Sequence, residues 1–247
     1  MNTLTSIIIP TFNGLHLLTS CVASIRKHTF TPIEIIIVDN GSTDGTAEYC
    51  VHEGLILVSL PTNIGFPSAC NRGLKLASGD QIMLLNNDCL ASPRWLSNLL
   101  TALYSAPEIG MVGPVTNYAS GKQQVPISYR SSAEFEQFAS LYNQPDASKW
   151  METRRIVGLC LLMKRSTRIA IGLLDERFSP GHFEDDDYCY RAALQGYKML
   201  ICGDTFIHHE GSASFKAGHP EGWSDIVNQG RQRFIDKWGV DPHQFIH

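Results

Sequence analysis

The sequence predicts an α/β protein built on a mostly parallel sheet with helices on both faces. Three observations carry that reading. Short β-branched runs alternate with stretches of helical periodicity through residues 1–115, the pattern of right-handed βαβ units. The runs are apolar throughout, as in Ile7-Ile8-Ile9 and Ile35-Ile36-Ile37-Val38, which suits strands covered on both faces. Each run also ends on polar residues, among them Thr11, Asp39, Asn86 and Asp88. Open α/β sheets bind ligands outside the carboxyl ends of their strands, so these residues are expected on one functional edge.

The elements follow in order. Ser6–Ile9 predicts a strand, closed by the turn residues Pro10-Thr11-Phe12-Asn13-Gly14. Leu15–His28 predicts a helix, with Leu17, Leu18, Cys21, Val22 and Ile25 at helical spacing. Ile33–Val38 is a second strand, Asp44–Glu53 a short helix with Asp44 placed to cap it, and Leu55–Leu60 a third strand. Phe66–Ala77 reads as helix, Ile82–Leu85 as strand, Pro93–Ala106 as a helix opened by Pro, and Met111–Val115 as a fifth strand. The stretch 116–155 is polar and loop-rich, with helical character over Ala133–Leu141. Beyond it come an apolar strand pattern over Arg155–Lys164 and an acidic cluster opening a helical run within Gly181–Gly196. Short strands over Lys198–Cys202 and Thr205–His208 precede an amphipathic helix over Gly222–Trp238. One domain is expected over 1–247, with halves at 1–115 and 116–215 and a C-terminal helix in 216–247.

Composition excludes several classes. Apolar residues make up 43% and charged residues 18%, a globular rather than disordered balance. A net charge of -4 without a basic stripe argues against a nucleic-acid partner. Seven cysteines with no CxxC pair point to a reducing compartment. The start, Met1 to Ser6, shows neither a basic n-region nor a signal h-region, so cytoplasmic localisation is expected. No apolar run approaches the ~20 residues that span a bilayer; peripheral membrane association stays open. GxGxxG and Walker A patterns are absent, and His209-Glu210 lacks the second His of a zinc protease motif.

Four segments carry chemistry. Val38-Asp39-Asn40-Gly41-Ser42 reads as a plain β–turn–α connection, or as a strand end whose Asp39 binds a nucleobase or ribose. Asn86-Asn87-Asp88 sets one carboxylate and two amides after a buried strand. That suits a hard divalent cation, which binds through one or two carboxylates plus substrate phosphates. Glu184-Asp185-Asp186-Asp187 lies between Phe183 and Tyr188, so it is not a simple solvated charge run. Crowded carboxylates repel, and one can acquire the raised pKa of a general base. His208-His209 before Glu210-Gly211-Ser212 offers one metal ligand.

Together these segments resemble glycosyltransferase family 2, the inverting enzymes with the GT-A fold, from about Ser6 to Phe215. The resemblance rests on Ile9-Pro10-Thr11-Phe12-Asn13, on EIIIVDNGSTDGT from Glu34 to Thr46, on Asn63-Ile64-Gly65-Phe66 with Asn71-Arg72-Gly73, on Leu84–Cys89 and on FEDDDYCYR from Phe183 to Arg191. It is nearest the rhamnosyltransferase-like branch. It implies a Rossmann-like sheet with a smaller acceptor-side region, and transfer of sugar from a nucleotide-diphosphate donor to a hydroxyl of a glycan, lipid-linked or protein acceptor. It further implies that Pro10, Thr11, Asn13, Asp39, Asn63, Phe66, Asn71, Arg72 and Asn87 serve the nucleotide-sugar. Asp88 would bind Mn²⁺ or Mg²⁺, joined by one of His208 and His209, with the spacing favouring His209. Asp185, second of the ED pair, would be the base, with Asp186 and Asp187 as rivals. Asn86 stands where the family's DxD pattern has its first Asp. Trp95, Trp150, Tyr118, Tyr129 and Trp223 are candidate stacking surfaces for a glycan. Two other readings stay open at this point: a nucleotide-sugar-binding partner subunit without activity, and a sugar-phosphate nucleotidyltransferase.

Overall fold

The computed structural model describes residues 3–211 and 223–245. The first half follows the expected alternation: β1 (Thr5–Thr11), α1 (Leu15–His28), β2 (Ile33–Asp39), α2 (Thr46–His52), β3 (Ile56–Ser59), α3 (Phe66–Leu76) and β4 (Gln81–Leu85). There follow β5 (Cys89–Leu90), α4 (Trp95–Leu103), β6 (Ile109–Thr116), α5 (Ser132–Tyr142), β7 (Trp150–Thr153), β8 (Cys160–Lys164), α6 (Arg165–Ile171), α7 (Glu184–Leu194), β9 (Lys198–His209) and α8 (Trp223–Trp238).

The strands form one sheet in the order β3-β2-β1-β4-β8-β6-β9-β5, with β7 also on β9. β1 to β4 run parallel to one another, and β8 lies antiparallel between β4 and β6. Successive side chains of a strand point to opposite faces, and this divides the core in two. Ile7 and Ile9 meet α1 and α4 on one side, through Leu18, Val22, Ile25, Trp95 and Leu99. Ile8 meets α3 and α7 on the other, through Ala69, Cys70, Leu74, Tyr188 and Cys189. A Cβ at Gly73 would stand 2.4 Å from Ile8 Cγ2, so glycine lets α3 lie close against β1. The seven cysteines are all buried and free.

Several expectations need correction. The two short strands over Lys198–Cys202 and Thr205–His208 are one strand, β9, carrying an irregularity opposite Pro114/Val115. Asn143 serves that irregularity, donating to the Phe206 carbonyl and accepting from its N–H. The strand expected over Arg155–Lys164 begins only at Cys160. The backbone before it is satisfied by side chains instead: Ile156 N–H by Cys189 Sγ, Val157 N–H by Gln123 Oε1 and Gly158 N–H by Asp185 Oδ2. The helix expected from Asp44 starts at Thr46, and Asp44 accepts from Thr46 and from Leu15 N–H. Trp95 is fully buried in the core, with Nε1 donating to Thr29 Oγ1, so it offers no surface to a glycan. The side chain of Trp223 lies outside the described residues. β5, β7 and α6 were not expected. Among the described residues no helix is long and apolar enough to cross a membrane.

Candidate active site

The carboxyl ends of β1 and β2 lie side by side, with Thr11 and Asp39 as register partners. Asn87, just past β4, donates to Thr11 Oγ1 at 2.8 Å and ties a third strand end to them. Asp39 is buried, and its Oδ1 accepts from Ser42 N–H at 2.9 Å. That turn needs glycine at position 41: φ is 87°, and a Cβ there would stand 2.8 Å from Thr62 Cα. Asn13 joins the loops after β1 and β2, accepting from Thr43 N–H while its own N–H donates to Ser42 Oγ. Pro10 is buried within β1.

The next segment is pinned from β2. Asn40 donates to Asn63 Oδ1 at 2.8 Å and accepts from Ile64 N–H at 2.9 Å. Phe66 opens α3, its N–H donating to the Pro180 carbonyl at 2.8 Å. Asn71 is buried and spends its amide on Leu174 and Glu176. Arg72 is exposed beside it, its charge felt by Glu176. Thr11, Asp39, Asn40, Asn63 and Asn87 thus form one connected edge, whereas Asn71 fastens the 174–176 loop.

β9 brings His209 to this edge. A two-residue antiparallel ladder pairs Cys89 with His209 and Leu90 with His208. Asn117 clamps the His209 backbone on both sides, and Glu210 N–H donates to the Asp88 carbonyl at 3.0 Å. Both Asp88 and His209 are 4% exposed, and His209 Nε2 stands 3.2 Å from Asp88 Oδ1. His209 Nδ1 faces the Tyr118 carbonyl at 2.7 Å. A carbonyl only accepts, so Nδ1 carries a proton and Nε2 of the neutral ring turns its lone pair to the carboxylate. Two acceptors at that distance repel unless a proton or a metal ion lies between them. Burial works against a charged ring, yet the Asp88 hydrogen bond and charge prevail and raise the His209 pKa.

These groups fit a hard divalent cation. The carboxylate oxygen and imidazole nitrogen are suitable donors, and Asn86 Oδ1 is buried without a hydrogen-bond partner among the described residues. Cys89 Sγ falls within the same 4.8 Å cluster. Its thiol donates to the Leu159 carbonyl at 3.5 Å, and burial followed by the Asp88 charge hold its pKa well above normal. The hydrogen bond to Leu159 turns this thiol to the core backbone. His208 faces away to a different set, contacting Tyr129 Oη and Glu210 Oε1.

The acidic run separates by burial. Glu184, Asp186 and Asp187 are buried, while Asp185 is partly open. Asp185 Oδ2 accepts from Gly158 N–H at 2.8 Å and Oδ1 from Asp186 N–H at 3.0 Å. A Cβ at Gly158 would come within 3.3 Å of Asp185 Cβ, so glycine admits the acid here. One residue on, the Leu159 carbonyl accepts from Asn86 N–H at 2.9 Å. A two-residue bridge therefore links the Asp185 corner to the Asp88 corner. Asp186 is paired with Arg155 Nε at 2.7 Å. Burial and then the Asp185 charge push its carboxyl up to about 7.

A family model described as Glycosyl transferase family 2 matches residues 6–168. The chain belongs to glycosyltransferase family 2. This family 2 chain is 30% identical over 237 residues to the uncharacterized protein y4gI of Sinorhizobium fredii, covering 88% of itself and 25% of that relative. It is 28% identical to the O-antigen biosynthesis protein RfbC of Myxococcus xanthus, covering 86% and 18%. It thus spans a quarter or less of the length of these two curated relatives. It is 26% identical to an N-acetylglucosaminyl-diphospho-decaprenol L-rhamnosyltransferase of Mycobacterium tuberculosis, covering 76% and 70%. Among solved structures it resembles the Pyrobaculum calidifontis mannosyltransferase PcManGT, in complex with GDP-Man and Mn²⁺. The TM-score is 0.69 at 20% identity, covering 98% of this chain and 66% of that one. GalNAc-T7, with UDP, GalNAc and Mn²⁺, gives a TM-score of 0.72 at 16% identity, covering 96% and 49%. This family 2 chain has the GT-A fold of these neighbours.

Sequence reasoning passed over Asn40, Arg155 and Gly158, and gave Glu184 no role of its own. Asn40 acts through its side-chain amide and Gly158 through its backbone N–H, each on a distant segment, which no local pattern encodes. Glu184 is an acid whose Oε2 is buried without a hydrogen-bond partner among the described residues. Burial first, then the Asp185 charge, raise its pKa well above normal. The folded chain therefore keeps the Glu184 proton at pH values where the unfolded chain, near 4.5, has released it. Stability due to this group is full below that value and is lost as pH rises toward the folded pKa. Glu184→Gln cannot ionise, so its melting temperature relative to wild type is expected to climb from pH 4.5 upward. A difference that is flat with pH in scanning calorimetry would contradict this.

Proposed function

We propose that the chain is an inverting, metal-dependent glycosyltransferase that moves a sugar from a nucleoside-diphosphate donor to an acceptor hydroxyl. Its products would belong to polysaccharide, glycolipid or glycoprotein glycan synthesis. The observation that carries the reading is the facing of His209 Nε2 and Asp88 Oδ1 at 3.2 Å, at the same edge as Thr11, Asp39 and Asn87. Asp88 and His209 would hold Mn²⁺ or Mg²⁺, as the Mn²⁺ in both solved neighbours suggests. When bound, the cation supplies charge neutralisation at the diphosphate.

The chain's own residues do the rest. Pro10, Thr11, Asn13, Asp39, Asn63 and Asn87 shape the nucleoside side of the edge, and Phe66 opens the helix beside it. Asn71 fastens that helix to the 174–176 loop, and Arg72 would serve the diphosphate side of the donor. Asp185 takes the proton from the acceptor hydroxyl as its oxygen bonds to the anomeric carbon. The bond from that carbon to the diphosphate oxygen breaks in the same displacement, and the configuration inverts. We read residues 116–215 as the acceptor side of one transferase domain in a cytoplasmic setting, with a glycan, lipid-linked or protein acceptor.

A thermal-shift screen of UDP-, dTDP- and GDP-sugars with Mn²⁺ tests the donor side, since a cognate donor raises apparent stability. NMR of the product then reports its anomeric configuration. The expected result is stabilisation by one nucleotide class and an inverted linkage. A retained linkage would exclude single displacement, and binding with no turnover across acceptors would mark an inactive partner subunit.

A further inference from the structure

The helix that carries Asp185 is entered through an unusual backbone turn. His182 (φ 77°) and Phe183 (φ 68°) precede α7, and both are non-glycine residues in the left-handed region. Such backbone persists only where surrounding structure imposes it. α8 supplies part of that structure. A Cβ at Gly230 would stand 2.8 Å from the His182 carbonyl oxygen and 2.9 Å from Phe183 Cδ2. Arg233 donates to the Ser179 carbonyl at 2.8 Å, and Phe234 is fully buried in a satellite core with Phe178 and Phe183.

The last turn of α8 reaches the acidic run itself. Lys237 Nζ donates to Asp187 Oδ1 at 2.5 Å and to Asp175 Oδ2 at 2.8 Å. Trp238 Nε1 shares Asp187 Oδ1 at 2.9 Å, and Arg191 Nε takes Oδ2 at 2.9 Å. Asp187 has no exposed surface. It stands two positions after Asp185, in the same first turn of α7. The donor-side groups ride on β1, β2 and β4 instead.

We propose that α8 positions the base: Lys237, acting through Asp187, and Gly230, acting through the His182–Phe183 turn, fix the direction in which α7 presents Asp185 to the acceptor hydroxyl. The inference rests on the transferase reading above. Lys237 and Gly230 are positioning residues, and their loss acts on geometry rather than on the proton sink. Displacing a reacting group by ~1 Å costs about 10²-fold in rate.

The test uses the full chain carrying Lys237→Met, Lys237→Arg or Gly230→Ala, with two readouts. In the first, kcat of Lys237→Met and Gly230→Ala is expected to fall ~10²-fold with the Kd of the nucleoside diphosphate and Mn²⁺ unchanged, and Lys237→Arg restores part of the rate. In the second, amide hydrogen exchange across residues 183–188 accelerates in Lys237→Met and less in Lys237→Arg. Wild-type kcat in both folded variants overturns the proposal, as does a loss of nucleotide affinity equal to the loss of rate. If both variants lose the fold, α8 is a general buttress and the proposal fails. If wild type transfers no sugar, the transferase reading fails separately. Exchange then decides alone, and unaltered exchange in Lys237→Met overturns the hold of α8 on α7.

Discussion

Replacing Asp185 with Asn is expected to lower kcat by ~10²–10⁴-fold while the nucleoside diphosphate binds as before. The substitution preserves shape. The amide oxygen can still accept from Gly158 N–H or Asp186 N–H, so the turn is kept. What disappears is the proton acceptor. Two neighbouring acids provide the control, because each is already paired with a cation. Asp186 holds the half-buried Arg155, and Asp187 holds Lys237, Trp238 and Arg191. Breaking such a buried pair costs ~3–5 kcal/mol, since the cation is left uncompensated. Asp187→Asn should therefore register first as a lower denaturation midpoint, whereas Asp185→Asn should not. Steady-state kinetics, calorimetric binding and denaturant titration together read the difference. Full turnover in Asp185→Asn, or lost turnover at unchanged stability in Asp186→Asn, would move the base elsewhere.

The donor half of the fold was legible because its signals are local. A strand buried on both faces must be apolar at every position, and Ile7–Ile9 and Ile36–Val38 are fully buried. The strand-end residues follow from that geometry alone. The acceptor half was less legible because its backbone is satisfied by distant side chains. Ile156 and Val157 look like strand, yet Cys189 and Gln123 take their N–H groups. Trp95 illustrates a second limit. Composition does not tell a core tryptophan from an exposed one, and here Thr29 supplies the partner that lets the indole be buried. The pairing of Asp88 with His209 is of the same long-range kind. It depends on a two-residue ladder between β5 and the far end of β9, too short to leave a periodicity.

That pairing makes the second large prediction. Asp88→Ala is expected to abolish the Mn²⁺-dependent part of nucleoside diphosphate affinity, so calorimetry gives one Kd with or without the metal. With Asn86 in place of an acid, Asp88 is the one carboxylate of this turn, and few-carboxylate sites of hard cations rely on each charge. His209→Ala should weaken the metal dependence less, because it removes a neutral donor and leaves the carboxylate. Asn86→Asp should act in the opposite sense. The Asn86 Oδ1 position is buried without a hydrogen-bond partner among the described residues, and a second carboxylate there would add charge to the cation site. An increase of tenfold in affinity would correspond to ~1.4 kcal/mol. The three variants thus order the donors by charge: loss with Asp88→Ala, partial loss with His209→Ala and gain with Asn86→Asp. A wild-type affinity indifferent to Mn²⁺ would remove the cation from this corner. The 3.2 Å contact would then be a buried His–Asp ion pair, with a proton rather than a metal between the two acceptors.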